Sequence, residues 1–129
     1  MDNLIFLIVI IVGMLVSVKY FGTPIMYRLR SCAGSEWKRK YPHRNKNEIR
    51  DYLEVFIWAF ALNEKDKLKF QPADKLMDIY RQIYPSKWLA DSLELETFAE
   101  DLQNKYGISL DEMWHDEITL GEVFERVSA

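Results

Sequence analysis

Hydrophobic positions divide this chain into two regimes. From Leu4 to Val18 the run LIFLIVIIVGMLVSV carries no charge and shows no polar face. Continued through Lys19, Tyr20 and Phe21 it approaches the ~20 residues that cross a hydrocarbon core. Lys19 can extend its ammonium toward headgroups, and Tyr20 and Phe21 are aromatic residues of the interfacial kind. The expectation is a single transmembrane helix over residues 1–22. A cleaved leader would begin with basic residues, whereas this chain begins Met-Asp-Asn and holds its cations after the apolar run. A core helix or an interfacial helix would show a polar side, and none is visible.

Beyond residue 46 apolar residues recur at helical spacing. Ile49, Tyr52, Leu53, Phe56 and Phe60 form one stripe of a helix from Asn47 or Glu48 to Leu62, widened by Val55, Ile57, Trp58 and Leu62. Residues 63–71 read as a charged loop. Pro72 opens a short helix bearing Leu76, Ile79, Tyr80 and Ile83 and ended by Pro85. A third helix runs from about Ser92 to Tyr106 on the stripe Leu95, Phe98, Ala99, Leu102 and Tyr106, and Gly107 stops it. The last helix follows Thr119, with Glu122 three residues on as a capping-box partner, and carries Leu120, Val123, Phe124 and Val127. No hairpin signal, strand pair or repeat is present. The predicted fold class is all-α: a single transmembrane helix, then a small bundle of three main helices and one or two short ones. The domains are an anchor over 1–22, a basic juxtamembrane linker over 23–46 and a helical domain over 47–129.

Charge sharpens this division. Residues 19–50 hold nine Lys or Arg against Glu36 and Glu48, a local balance of +7; residues 51–129 hold eight basic against seventeen acidic residues, a balance of −9. With Asp2 these return the net charge of −3. The cations after the apolar run (Arg28, Arg30, Lys38, Arg39, Lys40, Arg44 and Lys46) put the acidic domain on the cytoplasmic side of an inner membrane and the N-terminus outside. Gly22, Pro24, Gly34 and Pro42 give the linker its irregular character, and its cations attract anionic lipid, making the bilayer one expected partner. Nucleic acid is excluded as a partner, because the attached domain is acidic and repels phosphates. The lone Cys32 rules out an internal disulfide framework and reads as a free juxtamembrane thiol or a site of reversible lipidation. Asp111, Glu112, His115, Asp116 and Glu117 read as a solvated acidic loop, so no metal is expected. Nothing has triad or phosphate-loop spacing, and the chain is not expected to be an enzyme.

One motif bears chemistry. Asp91-Ser92-Leu93-Glu94 stands where the third helix begins, and on local grounds Asp91 and Glu94 form a capping box. The wider run Trp88-Leu89-Ala90-Asp91-Ser92-Leu93-Glu94, the exit Lys105-Tyr106-Gly107-Ile108 and the segment Ile118-Thr119-Leu120-Gly121-Glu122-Val123-Phe124 resemble the acyl carrier protein family, including acyl-carrier-like bacterial proteins of unknown function. The segment Pro72–Tyr84 is additional to the usual carrier pattern, and Ala90 stands where Gly often precedes the Asp. The resemblance implies an acyl-carrier-like bundle with 4′-phosphopantetheine on Ser92 beside Asp91. It also implies an acidic helix face, Glu94, Glu96, Glu100 and Asp101, docking a protein partner with a basic surface. A phosphodiester there would meet the free amides of a helix N-terminus. The alternative is an adaptor or immunity-type binding module with a carrier-like fold and no prosthetic group, using the Phe56–Leu62 surface with Trp88 and Trp114. A purely structural membrane component is the third reading.

Overall fold

The computed structural model describes residues 2–20, 22–84 and 93–127, and side chains within the first helix for residues 3–14. Its elements are α1 (Asp2–Tyr20), α2 (Ile25–Arg28), α3 (Gly34–Lys40), α4 (Lys46–Ala59), a 3₁₀ segment (Glu64–Lys69), α5 (Leu76–Ile83), α6 (Leu93–Tyr106), α7 (Leu110–Met113) and α8 (Leu120–Val127). The all-helical expectation for the domain agrees with this order. One antiparallel bridge, Lys75 with Thr119, is the sole extended pairing among the described residues.

The membrane part of the expectation is corrected. Among the described residues no helix is long and apolar enough to cross a membrane. The reason is length: the charge-free run Leu4–Val18 has 15 residues, about 22 Å at the α-helical rise, against a hydrocarbon core of about 30 Å. Reaching ~20 residues required counting Lys19, Tyr20 and Phe21 beyond the charge-free run. The transmembrane anchor, the single-pass description and the inner-membrane location with the N-terminus outside all fall with that span. Leu4 to Val12 and Met14 are nonetheless exposed along α1.

The basic stretch read as a linker folds onto the domain. Tyr27, Ala33 and Trp37 belong to the same buried cluster as the α4 stripe. Trp37 is 0 % exposed, and its indole N–H donates to the Phe70 carbonyl at 2.8 Å. Tyr27 stacks on Phe70 with ring centroids 4.9 Å apart. Phe70, placed by its neighbours' charges in a loop, is itself fully buried.

Around this aromatic centre α4 behaves as its stripe requires: Ile49, Tyr52, Leu53, Phe56 and Phe60 are all buried. Asn45 caps the helix by accepting from the Asn47 amide at 2.8 Å. At the other end Leu62 N–H reaches the Ile57 carbonyl at 3.0 Å, and the intervening Ala61 takes φ 54°, a left-handed position usually held by Gly. α6 packs beside α4 and buries Phe98 and Leu102. It stops at Gly107, whose φ of 70° is the conformation foreseen for that glycine.

Pro72 does not open a helix. Gln71 N–H binds the Asp74 carboxylate at 2.7 Å and Asp74 N–H binds the Gln71 carbonyl at 3.1 Å, so Pro72 and Ala73 form a turn. Asp74 and Lys75 then run extended against the segment before α8. Leu76 N–H donates to Ile118 O at 3.0 Å, and Leu120 N–H to Asp74 O at 2.9 Å. Gly121 N–H meets the Pro72 carbonyl at 2.9 Å. A Cβ at Gly121 would come within 2.7 Å of the Tyr41 hydroxyl and 3.0 Å of that carbonyl, so only glycine fits the crossing. Thr119 caps α8 as expected, accepting from the Glu122 amide at 3.2 Å.

Candidate functional site

Ser92 and Asp91 lie outside the described residues, as does Trp88. α6 is described from Leu93 onward, and the helix start expected at about Ser92 falls among the residues that are not described. The four acids assigned to a docking face separate into three environments. Helical geometry, about 100° per residue, puts Glu94 on the side of Phe98 and Leu102, and Glu96 with Glu100 on the far side. Glu96 and Glu100 are exposed.

Glu94 is not available to a partner. It is 9 % exposed, one carboxylate oxygen accepts from the Tyr84 hydroxyl, and the other has no hydrogen-bond partner among the described residues. Tyr84 follows α5, the additional segment, and its ring lies 5.3 Å from that of Tyr80. The first turn of α6 is thereby tied to α5 two residues after Ser92.

Asp101 turns toward α4 and joins a different group. Asp51, Glu54, Val55, Trp58, Asp101, Asn104 and Lys105 line an open depression of about 470 Å³ between α4 and α6. Positions 51, 54, 55 and 58 are one turn apart on α4, so helical spacing alone brings them to one face. Trp58 is 72 % exposed, the most exposed aromatic among the described residues of the domain, on a helix whose other aromatics are buried. Three carboxylates surround it against one ammonium at the rim. Glu54 is engaged by Lys67 at 2.7 Å, and that hydrogen bond holds its carboxyl below the usual range. Tyr106 lies close by: burial raises its phenol, and the Asp51 charge raises it further.

The apolar surface expected over Phe56–Leu62 reduces largely to Trp58. Phe56, Ile57, Ala59 and Phe60 are core, and Trp114 is half-buried. Asp51 and Glu54 were not singled out in the sequence, although their three- and four-residue spacing around Trp58 was the signal that could have found them. Near α8, His115 Nε2 pairs with Glu122 Oε2 at 2.6 Å, and Asp111, Glu112, Asp116 and Glu117 are exposed. Among the described residues no group of three His, Cys, Asp or Glu is arranged to hold a metal ion.

Comparison with protein families, characterised proteins and solved structures finds no match to this chain.

Proposed function

We propose that the domain is a non-catalytic binding module that docks a basic, amphipathic protein segment on the acidic α4–α6 face. The exposed Trp58 carries this reading. A tryptophan standing almost free of its own fold, above a depression and ringed by Asp51, Glu54 and Asp101, has the composition of a binding hot spot. Its indole supplies the apolar anchor, and the carboxylates select a cationic partner and speed its approach. Glu94, engaged by Tyr84, plays no part in the contact.

A fluorescein-labelled amphipathic Leu/Lys peptide titrated into the full chain tests the reading by anisotropy. Trp58→Ala and Asp101→Lys should each weaken binding at least tenfold, and binding should fall as salt rises. Equal affinity for wild type and Trp58→Ala overturns it.

A second reading rests on the sequence resemblance around residues 91–94, which lie at or just before the described part of α6. An acyl-carrier role would attach 4′-phosphopantetheine to Ser92, its phosphodiester beside the free amides of the first turn of α6. Co-expression with a phosphopantetheinyl transferase followed by intact-mass measurement tests it. A mass gain abolished by Ser92→Ala supports the arm, and an unchanged mass removes it.

A further inference from the structure

The opposite side of α4 borders a second recess of reversed sign. Cys32, Arg39, Lys46, Ile49, Arg50 and Leu68 are among its lining residues, and its volume is about 660 Å³, within the usual range of small-molecule sites. Among the described residues no carboxylate lines it. Arg39, Lys46 and Arg50 are exposed and make no ion pair among the described residues. Elsewhere Arg30, Arg44, Lys67, Lys75 and Arg81 each face an acid: Asp74, Glu48, Glu54, Glu117 and Asp78. Lys38 contributes mainly its stem, because its ammonium donates to the Arg44 carbonyl at 2.8 Å. Ile49 and Leu68 supply apolar surface to the recess, and the Cys32 thiol is free and exposed at its edge.

Three uncompensated cations over an apolar floor call for a ligand with both characters. We propose that this recess binds an anionic amphiphile: a phosphate or carboxylate head held by Arg39, Lys46 and Arg50, with an apolar chain laid over Ile49 and Leu68. Like charges gathered without counterions repel one another, and an anion relieves that repulsion while the chain leaves water. The recess goes beyond the docking reading and does not depend on it, since it uses the other side of α4.

Cys32 is the chain's single cysteine and reports occupancy directly. The rate of its alkylation by the neutral reagent N-ethylmaleimide is followed by intact mass on the full chain. Dodecyl phosphate below its micelle concentration should slow the reaction at least fivefold, saturably. Dodecyl maltoside, with the same tail and no charge, and inorganic phosphate, with no tail, should leave the rate unchanged at the same concentrations. The triple variant Arg39→Gln, Lys46→Gln, Arg50→Gln, its fold checked by circular dichroism, should move the protection midpoint at least tenfold. Protection by maltoside to the same degree, protection by inorganic phosphate alone, or an unmoved midpoint in the triple variant overturns the proposal. Vesicles separate the sources. Protection by phosphatidylglycerol vesicles with none from monomeric dodecyl phosphate overturns the recess in favour of surface adsorption, whereas protection by the monomer supports it.

Discussion

Replacing Trp37 by alanine tests whether the basic stretch belongs to the cooperative core. The side chain is wholly buried, its rings lie 5.6 Å from Phe124 and 6.2 Å from Tyr52, and its N–H is bonded to the Phe70 carbonyl. Removing a buried Trp costs about 3–5 kcal/mol through lost transfer energy and the cavity left behind. The Phe70 carbonyl loses its donor as well, which adds about 1 kcal/mol. Against a typical domain stability of about 5–15 kcal/mol, Trp37→Ala should remove about a quarter or more of the total. Trp37→Phe keeps an aromatic ring but loses the hydrogen bond, and should cost about 1–3 kcal/mol. Trp58→Ala is the internal control: the residue is largely in solvent, so stability should change by less than about 0.5 kcal/mol. Urea denaturation of the full chain, followed by far-ultraviolet circular dichroism, gives all three midpoints. The reasoning fails if Trp37→Ala unfolds at the wild-type midpoint, or if the Trp58 variant is the less stable of the two. Either result would mean that residues 23–46 are not part of the unit that melts.

Two further outcomes are expected. Ala61→Gly should stabilise the domain by about 0.5–1 kcal/mol, because the left-handed position after α4 strains a Cβ and not a glycine; a lowered melting temperature would contradict this. At high pH, burial and the Asp74 charge push the Tyr27 phenol up to about 12, and burial raises Tyr41 and Tyr52 in the same direction. A raised folded-state value favours the neutral phenol in the fold. The associated stability is therefore complete below the ordinary value near 10 and declines as pH climbs toward 12. Phenolate absorbance at about 295 nm should lag behind that of the urea-unfolded chain; ionisation of all seven tyrosines near 10 with the fold intact would count against it.

The stripes of α4, α6 and α8 were legible because each repeats apolar residues at three- and four-residue spacing, and their central residues are the buried ones. The caps at Thr119 and Gly107 were legible for the same local reasons. What sequence spacing could not reveal was long-range pairing. Tyr27 and Trp37 are isolated aromatics among cations, with no stripe of their own, and their partner Phe70 is more than thirty residues away from Trp37 in sequence. Pro72 carries the helix-opening signal, yet its carbonyl serves Gly121. At the candidate site, Glu94 looked like a surface acid because nothing local announces that Tyr84 folds back to it. The N-terminal run misled through arithmetic: fifteen charge-free residues are near enough to twenty for flanking residues to complete the count, but apolar length does not extend through Lys19.

The contact of Trp37 with Phe124 has a consequence for synthesis. Tyr41 reinforces it by donating to the Gly121 carbonyl at 2.9 Å, so segments some eighty residues apart close the core together. Such distant pairings form late, after the entropy of closing a long loop has been met. During translation the indole and the α4 aromatics emerge well before the helix that covers them. A nascent chain of this protein therefore carries an open aromatic face until α8 has left the ribosome, and that interval is when a chaperone has something to hold.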